Sequence, residues 1–236
     1  MTPWCLMASL ALALLSACPP AAMAGGFQVS PTLMELRPGA RVASFQLANR
    51  GDAPVSVQID ALAWSQSPKG GDALAPANEL VITPRRVEIA PGSSRQVRLA
   101  LDTDAGGGGE RAYRVRFREL PGVTTGGGMG VATLVEQNVP LFFNAQGKPE
   151  LAVDAHRDTQ GRLWLDVRNT GARHARLGGL KVWNANAQPL FAKGGPRYVL
   201  AGSQVAWTLS GDYRVEGGDT VVVQLGDEAK RTLLVE

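Results

Sequence analysis

VATLVEQNVPLFF, Val131 to Phe143, is the stretch on which the fold of this chain turns. In an extended strand Val131, Thr133, Val135, Gln137, Val139, Leu141 and Phe143 project to one side. Ala132, Leu134, Glu136, Asn138, Pro140 and Phe142 project to the other. Such a run spans roughly 40 Å, long for a strand in a small domain. A glycine-rich segment, Gly122 to Gly130, precedes it, and a polar turn, Asn144 to Lys148, follows. Apolar groups on both sides allow two roles. One is a central strand of a sandwich. The other is an edge strand that lends apolar side chains and open backbone groups to another polypeptide.

Outward from this stretch the chain has 236 residues, with 24 Lys and Arg against 21 Asp and Glu and a net charge of +3. That length suits one large β domain or two smaller ones. So small a basic excess, with no Arg/Lys cluster interleaved with aromatics, argues against nucleic acid as partner. Leu6 to Ala17 is almost wholly apolar yet short for a membrane span, and Ala22-Met23-Ala24 has the small residues of a cleavage site. Residues 1–24 therefore read as a secretory signal. Leu15-Ser16-Ala17-Cys18 also resembles a lipoprotein cleavage box, which would leave Cys18 lipidated. Both cysteines, Cys5 and Cys18, precede Gly25. The exported body thus has no thiol nucleophile, thiolate metal site or disulfide, and its core alone must stabilise it.

The pattern through the body is short strands and turns. Phe27 and Val29 precede Pro31, which marks an irregular edge strand. Arg41 to Ala48, Val55 to Trp64, Ser94 to Leu101 and Ala112 to Leu120 alternate with the period of strands. Ser65 to Asn78 reads as a loop, as does Asp102 to Gly109. About seven strands by Phe143 suffice for an immunoglobulin-like sandwich without its usual disulfide. Strand patterning then restarts at Glu150, Arg162, Ala175, Arg197, Val205, Thr220 and Lys230. Asn169-Thr170-Gly171 echoes Asn49-Arg50-Gly51 as the turn after a strand, which favours two related β domains over one. No segment is amphipathic over a helix length.

Enzyme signatures fail. The two histidines, His156 and His174, read as surface or half-exposed residues, and no spacing brings them to a common carboxylate. There is no nucleophile elbow and no phosphate loop, and Gly106 to Gly109 lacks the lysine and hydroxyl that would clasp a nucleotide. No cofactor or metal is expected. Arg114, Arg116 and Arg118 share one face of a strand, behind Tyr113, Val115 and Phe117. That face is either solvated or lines a cleft in which a guanidinium receives a carboxylate. Trp64 reads as a core residue, and Tyr113 as core or cleft wall.

Four blocks carry a family likeness: LANRGDAPVSVQIDALAW (Leu47 to Trp64), ITPRRVEIAPGSSRQVRL (Ile82 to Leu99), YRVRFRELP (Tyr113 to Pro121) and NVPLFF (Asn138 to Phe143). Together they resemble the periplasmic chaperones of the chaperone–usher pilus pathway. The LAW and YRVRF variants look most like the archaic, Csu-type branch. The resemblance implies an all-β protein of two immunoglobulin-like β-sandwich domains in an L or boomerang arrangement. Residues 25–144 would form the subunit-binding domain and 145–236 the second sandwich. It implies pilus subunits with an incomplete immunoglobulin-like fold as partners, an outer-membrane usher as recipient, and a periplasmic location.

In that family the first and seventh strands hold the subunit, and alternating apolar residues of the seventh fill its groove. Matching NVPLFF to the family's strand end assigns the donor role to Val131, Thr133 and Val135, continued by Gln137. The best-known branch also has an arginine on the first strand and a lysine near the end of the seventh. Here Gln28, Val29 and Ser30 supply no arginine, and the lysine position is Pro140. Arg114 and Arg116 are the candidate anchors for the subunit's terminal carboxylate instead. An exposed donor strand leaves self-association open when no subunit is bound. The competing reading is an exported sandwich module, or a lipoprotein tethered through Cys18, that binds a surface protein or glycan through exposed aromatics such as Trp183 and Trp207.

Overall fold

A computed structural model describes residues 26–67, 71–102, 108–122, 133–209, 218–226 and 230–236. Its first half carries β1 (Phe27–Ser30), β2 (Met34–Glu35), β3 (Val42–Asn49), β4 (Val55–Gln66) and β5 (Asp72–Pro76). These are followed by β6 (Leu80–Thr83), β7 (Arg86–Ile89), β8 (Ser94–Leu101), β9 (Arg111–Glu119) and β10 (Glu136–Phe143). One sheet has the order β1-β3-β8-β6; the facing sheet runs β2-β10-β9-β4-β5, with β7 also on β4. Alternation places Ala43, Phe45 and Leu47 of β3 against Val115 and Phe117 of β9 in one buried cluster. Phe45 and Phe117 meet edge to face across the sheets at 5.5 Å.

The second half carries β11 (Leu151–Arg157), β12 (Leu163–Asn169), β13 (Ala175–Asn184), β14 (Pro189–Val199), β15 (Gln204–Thr208), β16 (Thr220–Leu225) and β17 (Arg231–Leu234). Sheets β11-β12-β15 and β14-β13-β16-β17 enclose a separate core that includes Leu165, Val182, Val205 and Val223. The architecture is all-β, with two immunoglobulin-like sandwiches, each holding its own hydrophobic cluster.

The repeated Asn-x-Gly turn proves to be one device used twice. Asn49 is fully buried at the end of β3; its amide donates to the carbonyls of Ala53 (2.7 Å) and Ile89 (2.9 Å), and its Oδ1 accepts from the N–H of Gly51 (2.9 Å). Asn169, equally buried at the end of β12, donates to Arg173 (2.7 Å) and Val199 (3.1 Å) and accepts from Gly171 (3.0 Å). Each carboxamide satisfies buried peptide groups that the turn would otherwise orphan. Gly171 is held to glycine by a close approach: a Cβ there would lie 2.3 Å from the carbonyl oxygen of Lys148.

Three strand expectations are corrected. The long strand from Val131 is regular only from Glu136, and Val131 itself lies outside the described residues, as do residues 123–130 of the glycine-rich segment. Ser65 to Asn78 is not a plain loop: β4 runs on to Gln66 and pairs with β5, Leu62 to Gln66 against Pro76 to Asp72. The short segment foreseen at Arg197 is the end of the longer strand β14. In each case cross-strand hydrogen bonding extends or ends a strand where the local pattern alone does not. The edge foreseen at Pro31 is there: β1 pairs with β3, and after Pro31 the chain crosses to the other sheet, where β2 runs parallel to β10.

Candidate functional site

The site is built from the way β10 outlasts its own sandwich. Its core-facing residues Val139, Leu141 and Phe143 are buried, whereas Gln137 and Val135 are half-buried and Thr133 is exposed. Val135 still packs on the edge of the core. The ladder to β9 also continues past the strand: the N–H of Glu119 donates to the carbonyl of Val135 at 2.9 Å, and the N–H of Val135 donates to the Glu119 carboxylate at 3.0 Å. Odd-numbered residues of this segment therefore turn their backbone groups to β9.

Even-numbered residues turn theirs the other way. The carbonyl of Phe142 accepts from Leu36 at 2.8 Å, where β2 lies alongside. That cover is short, because β2 pairs only with Leu141 and Phe142. Among the described residues, Glu136, Asn138 and Pro140 have a strand neighbour on the β9 side alone. An edge strand with free peptide groups is a template for another chain. The first strand lies close to it: Gln137 donates from Nε2 to the carbonyl of Phe27 at 2.7 Å. An open depression of about 590 Å³, lined in part by Gln28, Ser30, Gln46, Ser94 and Gln137, follows that seam.

The opposite face carries the arginines in register. Arg114 stands between Leu62 and Pro140, Arg116 between Asp60 and Asn138, and Arg118 between Gln58 and Glu136. Arg116 and Arg118 both reach the Asp60 carboxylate, at 3.4 and 3.7 Å. Arg114 differs. Its guanidinium lies over the Trp64 ring at 3.7 Å and 5.4 Å from that of Tyr198. Burial lowers its pKa, with the charge of Asp72 opposing the shift. Among the described residues no carboxylate forms an ion pair with Arg114.

The arginine row leads into the joint between the two halves. Trp64, Phe142, Tyr198 and Leu200 form a small buried cluster there. Trp64 is thus buried as expected, but in the joint, whereas Tyr113 lies within the first core. Gln66 clasps the end of β14: its Nε2 donates to the Tyr198 carbonyl at 2.8 Å, and its Oε1 accepts from the N–H of Leu200 at 2.9 Å.

Two expectations about polar and aromatic residues are overturned. His174 is buried, not exposed: its ring stacks on Phe142 at 3.6 Å and its nitrogens meet Glu110 and Glu35. Nothing in the sequence near His174 pointed to this, since both acids belong to the first half. Trp207 is a buried member of the second core, so it cannot serve as an exposed binding aromatic. His156 is half-exposed beside Asp166, remote in its contacts from His174.

Residues 26–148, just over half the chain, match the family model of pili and flagellar-assembly chaperones, PapD N-terminal domain. No curated protein matches the sequence. Among solved structures, the chain is similar to a chaperone–tip adhesion subunit pre-assembly complex, CsuC–CsuE, from archaic Csu pili of Acinetobacter baumannii. Identity is 21%, the TM-score 0.68, and 89% of this chain and 99% of that chain are covered. It is also similar to the E. coli chaperone DraB, with 15% identity, TM-score 0.56 and coverage of 90% and 96%. The class 5 fimbriae chaperone CfaA gives 14%, 0.55, and coverage of 89% and 99%.

Proposed function

Because the chain belongs to the family of periplasmic pili and flagellar-assembly chaperones, we propose that it holds pilus subunits by lending them its β10 edge and passes them to an outer-membrane usher. The observation that carries this reading is the row Val139, Gln137, Val135, Thr133, which passes from buried to exposed beside a backbone edge with no strand neighbour among the described residues. Val131 continues the row in sequence. We place the chain on the archaic branch, on the LAW and YRVRF blocks and on the higher identity and TM-score of the Csu structure among the three compared.

The physics follows from what such a subunit lacks. A sandwich missing its last strand exposes apolar surface and unpaired N–H and C=O groups, both costly in water. The β10 edge supplies the ladder, while Val131, Thr133 and Val135 remove apolar area from solvent. If each side chain buries about 50 Å², that term is about 4 kcal/mol. The ladder and a carboxylate anchor must supply much of the remaining hold. Arg114 is the better anchor, since Asp60 already engages Arg116. Exchanging one donor strand for another breaks no covalent bond, so the handover needs no catalytic group, metal or nucleotide. A weak apolar term also favours release.

The test is periplasmic co-expression with candidate subunits, followed by pull-down. Replacing Val131 and Val135 together by Asp should abolish subunit recovery while the free protein keeps its far-UV spectrum, with a modest fall in melting temperature because Val135 packs on the edge of the core. Undiminished recovery from a folded double variant would overturn the donor-edge assignment.

A further inference from the structure

YRVRFRELP carries the arginine row, but its last three residues, Glu119-Leu120-Pro121, have no part in it. They stand where β9 and β10 part. From Phe143 opposite Arg111 to Glu136 opposite Arg118 the two strands pair without a break. In that register Val135 comes opposite Glu119, and such a pair exchanges two main-chain bonds in a regular ladder. Only one forms: the N–H of Glu119 donates to the Val135 carbonyl at 2.9 Å. The N–H of Val135 donates instead to Oε2 of the Glu119 side chain, at 3.0 Å. A carboxylate takes the place of a main-chain carbonyl in the last rung.

The next rung cannot follow. Thr133 would come opposite Pro121, which has no N–H to give. Leu120, just before it, turns its N–H the other way, to the Ser56 carbonyl on β4 at 2.8 Å. Among the described residues no backbone hydrogen bond reaches Thr133 or Leu134. Val135 is thus held by both its peptide groups, whereas Leu134 and Thr133 are held by neither. The Val135 side chain packs on the edge of the core, and a Cβ on Gly26, just before β1, would lie 3.3 Å from its Cγ2. Gln137, next inward in the row, is tied to β1 through the Phe27 carbonyl at 2.7 Å. The edge therefore leaves the sheet at a fixed point, between Leu134 and Val135.

We infer that Glu119 is the positioning residue that sets where the subunit-binding edge leaves the protein's own sheet: its carboxylate makes the last rung, and Pro121 withholds the next. Thr133 and Leu134 keep their peptide groups open to an incoming subunit, while Val135 is already fixed. A subunit strand then meets an edge of set register, and less ordering is left to be done on binding. This meaning rests on the donor-edge reading; the rung itself does not.

Amide hydrogen exchange of the full chain, free of subunit, tests the rung. In Glu119→Ala the Val135 amide, corrected for its intrinsic rate, should exchange about tenfold faster, the loss of a charge-assisted bond. Glu119→Gln keeps an acceptor oxygen and should restore most of the protection. The Leu101 amide, bonded to the Arg41 carbonyl in the first sandwich, should exchange alike in all three proteins. Unchanged exchange at Val135 in Glu119→Ala would overturn the assignment. Pull-down of a subunit tests the positioning: recovery should fall about fivefold with Glu119→Ala and return with Glu119→Gln. The melting temperature should stay close to the parent's, because Glu119 is half-buried and water can replace its carboxylate. Full recovery with Glu119→Ala would make the rung a local cap and overturn the positioning role. A parent protein that recovers no subunit counts against the donor edge instead, and the exchange rates then decide whether Glu119 ends the sheet.

Discussion

Three arginines on alternate positions of one strand share a face, yet they have different chemistry. Asp60 holds Arg116 and Arg118, while the Arg114 guanidinium lies over the Trp64 ring beside the joint. Alternation made their common face legible, because it depends only on the period of the strand. Which one keeps an available charge depends on β4, whose register puts Asp60 opposite Arg116 and Leu62 opposite Arg114. Arg114→Ala should weaken binding of a subunit ending in a free carboxylate by about tenfold or more, the loss of a charge-assisted bond. The same subunit with an amidated terminus should bind nearly as before. Titration calorimetry on both forms measures the difference, and equal losses would remove Arg114 from the anchor role. The two buried asparagines were legible differently: Asn-x-Gly after a strand was visible twice, but that the Asn49 carboxamide ties three peptide groups and that of Asn169 four was not.

At the scale of the element, β10 has two backbone sides with different duties. Val135, Gln137 and Val139 turn theirs to β9; Glu136, Asn138 and Pro140 turn theirs outward. A proline at an outward position removes a donor that the protein's own sheet does not use, and its ring obstructs an incoming strand. Asn138→Pro should therefore lower subunit affinity by about tenfold or more with little change in melting temperature. Gln137→Pro would strike the β9 ladder and lower the melting temperature itself. Comparing the two by calorimetry and pull-down separates an edge used by a partner from an edge that is merely exposed. The sequence showed a strand here with apolar groups on both sides. It did not show that regular structure begins only at Glu136, because that depends on how far β9 and β2 reach.

At the scale of the whole molecule, two separately cored sandwiches are coupled by few groups. Gln66 contributes two hydrogen bonds to the β14 backbone, and the cluster of Trp64, Phe142, Tyr198 and Leu200 fills the space beside them. Gln66→Leu leaves the Tyr198 carbonyl and the Leu200 N–H without that partner, at a cost of about 2 kcal/mol. Neither core is touched, so calorimetry should show the two halves melting at more widely separated temperatures than in the parent. A single unshifted transition would mean that the clasp does not couple them.

The chain's own residues determined the class of fold, the restart of the strand pattern after Phe143, the twin turns and the row from Val131 to Phe143 with apolar groups on both sides. Each of these is a local property, since facing in a strand repeats every second residue and a turn is written in three or four neighbours. Only the folded chain decided that His174 would be sealed between Glu35 and Glu110, that Trp207 would be core, and that Asp60 would claim Arg116 but not Arg114. Those outcomes depend on groups far apart in sequence, and burial and charge pairing are set by the neighbours that packing supplies.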